Sequence, residues 1–165
     1  MSTDLPSVES LVGALAALGI GLPPGRVTVD GYGDSPELSA YLLTLIRSGQ
    51  KRAGTGLLWG MEREGRALPA VGDIEIVVDH RHRPVFVTRL TRVQVLPFNE
   101  VSAEYAATEG EGDGSLADWR RGHWAYFGRE CARLGLEPSE HMPVVCCVFE
   151  VLHALPSADG PPGAP

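Results

Sequence analysis

The sequence predicts an α+β fold, a small mixed β-barrel flanked by helices, and three observations predict it. Two helical patterns open the chain, a run of extended segments follows, and two further helical patterns precede one closing strand. That closing strand, Val144 to Leu152, is continuously apolar in its first half, as expected of a central barrel or sandwich strand. The 165 residues fit one domain, and a hydrophobic content of 44% is enough for a real core.

The elements follow in order. Leu11, Leu15 and Leu18 recur at helical spacing within residues 5–19, and Gly19 and Gly21 stop the pattern, which predicts a first amphipathic helix. Residues 20–33 are rich in Gly and Pro and read as a connection. Ser35 ahead of Pro36 and Glu37 starts a second helix, and Gly49 after Arg47 stops it at about 48, which leaves Lys51 just past a helix C-terminus. Thr55 to Trp59 reads as extended, Pro69 to Asp73 as a turn, Ile74 to Val78 as a strand and 80–84 as a hairpin tip. Val85 to Leu96 reads as a long strand with Val85, Val87, Arg89, Thr91, Val93 and Val95 on one face. A short helix is expected over 99–108. Ser115 with Asp118 three residues on resembles a capping box for a helix over about 116–134, whose apolar stripe of Leu116, Trp119, Phe127, Cys131 and Leu134 also holds His123. Residues 156–165 are Pro/Gly/Ala-rich and read as disordered.

Composition narrows the functional classes. A formal charge of −7 argues against broad binding to a phosphate backbone, so any nucleic-acid contact is expected to be local. Glu100, Glu104, Glu109, Glu111 and Asp113 fall in one stretch without Lys or Arg, leaving the remainder nearly balanced. No run approaches the roughly 20 apolar residues of a membrane helix, and no secretory leader is evident, so a cytoplasmic protein without membrane contact is expected. Cys131, Cys146 and Cys147 match neither a disulfide framework nor a zinc pattern, and they read as reduced, mostly buried thiols.

Of the 14 basic residues, Lys51 is the one lysine. Arginine stays protonated in proteins, whereas a partly buried lysine can serve as base or nucleophile, so Lys51 is the first place to look for proton chemistry.

Several ordered segments over about 30–152 then resemble the ASCH family, in particular its longer bacterial branch. They are Tyr32-Gly33-Asp34-Ser35-Pro36-Glu37-Leu38, Gly49-Gln50-Lys51-Arg52-Ala53, Leu68-Pro69-Ala70-Val71-Gly72-Asp73 and Val95-Leu96-Pro97-Phe98-Asn99-Glu100-Val101. The most specific is Glu109-Gly110-Glu111-Gly112-Asp113-Gly114-Ser115-Leu116, followed by Trp119-Arg120 and His123. The resemblance implies a PUA-like barrel with a cleft for RNA or a modified nucleoside, lined by the Lys51 loop and the helix end carrying Glu109. Some small members resemble amidohydrolases acting on acetylated cytidine, with a Lys, a Thr three residues later and a Glu. Carried over, these imply Lys51 and Glu109.

The chain departs from the family pattern where the hydroxyls belong. Gly54 and Gly56 stand at the Thr and Ser positions, with Thr55 between them. On an extended segment a shift of one residue reverses the face, so spacing alone does not let Thr55 stand in for the lost hydroxyl. The resulting expectation is a binding module, with a hydrolase using Thr55 as a relocated hydroxyl as the alternative. Lys51, Glu109 and Thr55 are the catalytic candidates; Gly54, Arg89, Glu111, Trp119, Arg120 and His123 are the ligand-contact candidates. The bland alternatives are an Arg89 paired with a carboxylate, a His123 satisfied in the core and a Trp119 that is simply core. The acidic loop lacks the spacing of a calcium site, and His80 and His82 lack a third ligand, so no metal and no cofactor are expected. The organisation expected is an N-terminal helical extension over 1–30, the ASCH domain over 31–153 and a disordered tail over 154–165. Oligomeric state is not legible.

Overall fold

A computed structural model describes residues 5–156. Most of the tail expected to be disordered, 157–165, lies outside the described residues. The elements in chain order are α1 (Val8–Ala17), β1 (Val27–Gly31), α2 (Pro36–Ser48), β2 (Ala53–Leu57), α3 (Leu58–Arg63), β3 (Ile74–Val78), β4 (Pro84–Pro97), α4 (Ala103–Glu109), α5 (Leu116–Leu134) and β5 (Pro143–Ala154). The result is an α+β fold whose five strands form one mixed sheet in the order β1-β3-β4-β5-β2. β1 runs parallel to β3, while β3–β4 and β2–β5 are antiparallel. Among the described residues no helix is long and apolar enough to cross a membrane.

Contacts divide the chain into two compact units. The first comprises residues up to Thr44, Gly72–Arg89 and the chain from Glu150 onward; the second comprises Leu45–Val71 and Leu90–Phe149. In the first, Leu11 and Leu15 of α1 pack with Ile74, Ile76 and Val78 of β3, Val87 of β4 and Leu155. Leu15 is fully enclosed, and Leu155 is pinned by its amide donating to the Val85 carbonyl at 2.9 Å. The second core gathers Ala53 and Leu57 of β2, Phe98, Tyr105 and Ala106, Trp119, Phe127 and Cys131 of α5, and Val144 and Cys146 of β5.

The helices follow from local chemistry. Ser7, Ser102 and Ser115 each sit in extended backbone and accept the amide of the residue three on, which satisfies a donor that has no partner inside the helix. At α5 the box is open on its return side, because the Asp118 carboxylate accepts from the Asp113 amide at 3.1 Å and so ties down the preceding loop.

Three expectations need correction. The 20–33 connection contains β1, a Val-Thr-Val run hidden in sequence by neighbouring Pro and Gly and stabilised by pairing with β3. Residues 58 and 59 are helical, not extended. Gly60 disguises α3; it sits against Glu130 of α5, whose carboxylate would have to move aside for a β-carbon. The helix expected over 99–108 begins at Ala103, because the amides of Phe98 and Asn99 donate to the carbonyls of Met142 and Glu140 and Ser102 supplies the cap.

Replacing Leu15 by Ala should cost about 2–5 kcal/mol, the range for a large-to-small change in a close-packed core. Urea unfolding measures it, and a loss below about 1 kcal/mol would show that α1 is dispensable to the first core.

Candidate functional site

The site lies wholly in the second unit and is assembled by backbone bonds before any side chain is considered. α2 ends at Ser48, Gly49 takes a left-handed conformation with φ 87°, and the Lys51 amide returns to the Leu45 carbonyl at 3.0 Å. The Arg52 amide donates to the Thr108 carbonyl at 3.0 Å, and the Gln50 side-chain amide donates to the Gly110 carbonyl at 2.9 Å. The Lys51 loop is therefore laced to the last turn of α4. Gly110 closes that helix with φ 67°, and any β-carbon there would collide with the Gln50 carbonyl, so glycine is needed on both counts.

Three elements then aim side chains at one carboxylate. Tyr105 and Glu109 lie one turn apart on α4, and Trp119 and His123 lie one turn apart on α5. On β2, alternation puts Ala53, Thr55 and Leu57 on the core side. Glu109 Oε1 accepts from Lys51 Nζ at 3.3 Å and from His123 Nε2 at 3.0 Å. Its Oε2 accepts from Thr55 Oγ1 at 2.7 Å and Trp119 Nε1 at 2.6 Å. Lys51 Nζ also donates to Glu111 Oε1 at 2.7 Å. Lys51 and Glu109 are both 1% exposed, and among the described residues no buried side-chain nitrogen or oxygen lacks a partner.

Electrostatics follow from this geometry. Burial alone would push the Glu109 carboxyl up; Lys51, His123 and the Trp119 indole more than offset it and hold the group well below the ordinary carboxylate range. Burial likewise pulls His123 down, but Glu109 overrides it and the net shift is upward. His123 Nδ1 lies 2.9 Å from the Trp119 carbonyl, which can only accept. The protonated ring, which the upward shift favours, would donate from both nitrogens, and the ring stacks on Trp119 with centroids 4.2 Å apart. Lys51 thus bridges Glu109 and Glu111, and His123 joins the cluster through Glu109.

Thr55 turns toward the cluster. A residue at 54 does face opposite to one at 55, but it is the Thr55 face that looks at Glu109. Gly54 presents its carbonyl to the Tyr105 hydroxyl at 2.7 Å. Gly56 does not open the backbone to a ligand on its β-carbon side, because the Met61 methyl occupies that space. Tyr105 escaped the sequence reading, although it stands one turn before Glu109; its hydroxyl also lies 3.0 Å from Thr55 Oγ1. Cys146 pairs with Thr55 across β2 and β5, and burial with the Glu109 charge pushes its thiol up to about 12, so it is inert.

The remaining candidates divide. Trp119 and His123 turn inward and serve Glu109. Arg120 is exposed, its guanidinium 3.5 Å from the Asn99 carbonyl. Arg89 belongs to the first unit, is exposed, and donates to Glu150 Oε1 at 2.7 Å. Glu109, Glu111 and His123 bring potential metal ligands within 4.8 Å of one another. The Lys51 ammonium already bonds to both carboxylates, and His123 spends Nε2 on Glu109, so the cluster is built around an internal cation. A surface concavity lined by Trp59, Glu62, Arg63 and Leu136 includes none of these residues.

Comparison with known proteins adds to this geometry. The ASCH domain model matches residues 28–153. The ASCH domain from Lactobacillus crispatus JV V101 is 34% identical with a TM-score of 0.71, over 76% of this chain and 79% of that one. A protein from Enterococcus faecalis V583 is 31% identical with a TM-score of 0.72, over 88% and 87% of the two chains. The fold is the PUA-like α+β one of these structures. Comparison with curated proteins gives no match.

The two shifts set a pH window. Glu109 has a lowered folded-state pKa, so its contribution is complete above its ordinary 4.5 and is lost as pH falls toward the lowered value. His123 has a raised one, so its contribution is complete below 6.5 and is lost as pH rises through the folded-state value. Thermal melts should therefore show their highest contribution from this cluster between about pH 4.5 and 6.5. The decline on the alkaline side should vanish in His123→Gln; an unchanged decline in that variant would exclude His123 as its source.

Proposed function

The chain belongs to the ASCH domain family, whose PUA-like module is generally thought to bind RNA, and from that premise we propose that it is a binding module receiving RNA or a modified nucleoside at the Lys51–Glu109 cluster. The observation that carries the reading is the saturation of Glu109 by four donors. Recognition needs donors and acceptors held in place, and this network holds them without a strained or orphaned group. Turnover needs a proton acceptor tuned near the working pH. Glu109, the acceptor nearest the Thr55 hydroxyl, is instead held below the ordinary carboxylate range, which makes it a weak base.

One observation favours a second reading, a hydrolase acting on an amide. Thr55 Oγ1 lies 2.7 Å from Glu109 Oε2, which puts a hydroxyl, a carboxylate and a lysine in one cluster. In that reaction Thr55 Oγ1 would attack the carbonyl carbon while its proton passes to Glu109. The C–N bond would break as the proton reaches the leaving amine, and water would then release the acyl group from Thr55.

Titration of short single-stranded RNA and acetylated cytidine against four proteins tests both. Lys51→Met and Glu109→Gln should weaken binding by at least about tenfold, since each unpairs a buried charge-assisted bond, whereas Thr55→Val should change it by less than about threefold. Melting curves confirm that each variant is folded. No binding of either ligand by the unaltered protein would reject the module; turnover of acetylated cytidine that Thr55→Val abolishes would establish the hydrolase. For a chain of net charge −7 meeting one or two phosphates, the log–log salt slope for RNA should be about −0.7 to −1.4; a slope beyond about −4 would point to a broad basic surface.

A further inference from the structure

Alternation along β4 puts Leu90, Arg92, Gln94 and Leu96 on one face, opposite to the face that carries Arg89. Leu90 is buried and Leu96 packs against the second core, yet Arg92 and Gln94 between them are exposed. The face is closed at both ends and open at two polar positions. Sheet order sets β4 and β2 on either side of β5. The Thr91 hydroxyl donates to the Val148 carbonyl at 3.2 Å and the Phe98 amide to the Met142 carbonyl at 2.9 Å, so Arg92 and Gln94 run alongside Cys146–Val148. Cys146 packs in the second core and pairs with Thr55 of β2, so Arg92, Cys146 and Thr55 follow one another across the same sheet face.

Among the described residues Arg92 is the one arginine without a hydrogen bond, ion pair or ring contact. Its charge nevertheless reaches the site: the Cys146 thiol, pushed up by burial and by Glu109, is drawn the other way by Arg92. An unpaired guanidinium keeps its planar fork available for two phosphate oxygens, and no ion pair has to break first. A phosphate placed at the cluster itself would meet Glu109 and Glu111, whereas Arg92 has no carboxylate bonded to it. Two strand spacings, about 10 Å, separate β2 from β4. One nucleotide bridges such a span, with its base at the half-buried Thr55 and its phosphate at Arg92.

We propose that Arg92 holds a phosphodiester group of RNA on this sheet face, which makes it a specificity-determining residue of the site. This rests on the binding reading above, which seats the base at the Thr55–Glu109 end, and deepens it by naming the ligand class: a phosphate-bearing nucleotide within RNA in preference to a free nucleoside. A free nucleoside forgoes the contact. In a chain of net charge −7 the phosphate backbone meets little general attraction, so a single unpaired cation beside the site has a large share in the choice.

The test compares cytidine with a dinucleoside monophosphate of cytidine by calorimetric titration, with melting curves to confirm that each variant is folded. Arg92→Gln should weaken the dinucleoside monophosphate about tenfold, the loss of one charge-assisted contact, and leave cytidine unchanged. Arg92→Lys, which keeps the charge without the fork, should recover part of that loss. With short single-stranded RNA the log–log salt slope should shrink by about 0.7 in Arg92→Gln and hold in Arg92→Lys. Arg66→Gln removes an equal charge from an exposed arginine paired with Glu64 and should alter neither ligand. Equal affinity for the dinucleoside monophosphate in Arg92→Gln and the unaltered protein would overturn the proposal, as would an equal loss for cytidine or in Arg66→Gln. So would a protein that binds cytidine but not the dinucleoside monophosphate. RNA binding that needs Lys51 but is indifferent to Arg92 keeps the module and sinks the phosphate contact. Arg92-dependent binding that survives Lys51→Met and Glu109→Gln keeps the contact and removes the cluster from the binding site.

Discussion

A carboxylate withdrawn from water destabilises a fold by several kcal/mol unless its oxygens are satisfied and its charge is met. In this protein that constraint falls on Glu109, and much of the second unit can be read as its solution. Lys51 and His123 meet one of its oxygens, and a hydroxyl and an indole fill the other. The four donors come from the Lys51 loop with the adjoining β2 and from α5, so the carboxylate ties α4 to two other segments of the chain. Removing any one of those segments would leave a buried charge short of partners, which explains why the elements around it are capped and laced so closely.

The lacing is itself economical. The same helix end that presents Glu109 offers the Thr108 carbonyl to the Arg52 amide and the Gly110 carbonyl to the Gln50 side chain, so the two ends of the ion pair are brought together by the residues that flank Lys51. Arg52, adjacent to Lys51, turns its guanidinium back onto the Ile46 and Lys51 carbonyls at 2.8 Å each and so closes the end of α2. Neighbouring basic residues thereby perform opposite tasks: Arg52 is structural, with a planar fork suited to two carbonyls, and Lys51 is a compact charge directed into the site.

Much of this was legible in advance for reasons that can be stated residue by residue. α2, β3 and α5 carry strong local signals, such as Ser35-Pro36, an unbroken β-branched run, and Ser115 with Gly135, and their bounds agree with the structure. Lys51 was conspicuous because it is the one lysine in the chain. β1 and α3 were missed because their identity is not local: β1 is short and depends on β3, and Gly60 reads as a breaker until Glu130 is seen packed against it. Arg89 admitted two readings, a cavity residue or one paired with a carboxylate, and the fold supplies the pairing, with Glu150.

By itself the sequence determined most of the element types, the family resemblance and the two residues at the centre of the cluster, since periodicity, capping and ordered motifs are properties of neighbours along the chain. Only the tertiary structure decided that Thr55 faces Glu109 and that Tyr105 joins it. It also decided that Glu109 raises the pKa of His123, and that Glu111 differs from Glu109 in being partly open to solvent. Each of these depends on which groups meet across separate segments and on how much water remains around them. Hydrogen-bond partners and local dielectric set protonation and reactivity, and neither is written in the order of residues until the chain has closed around the carboxylate.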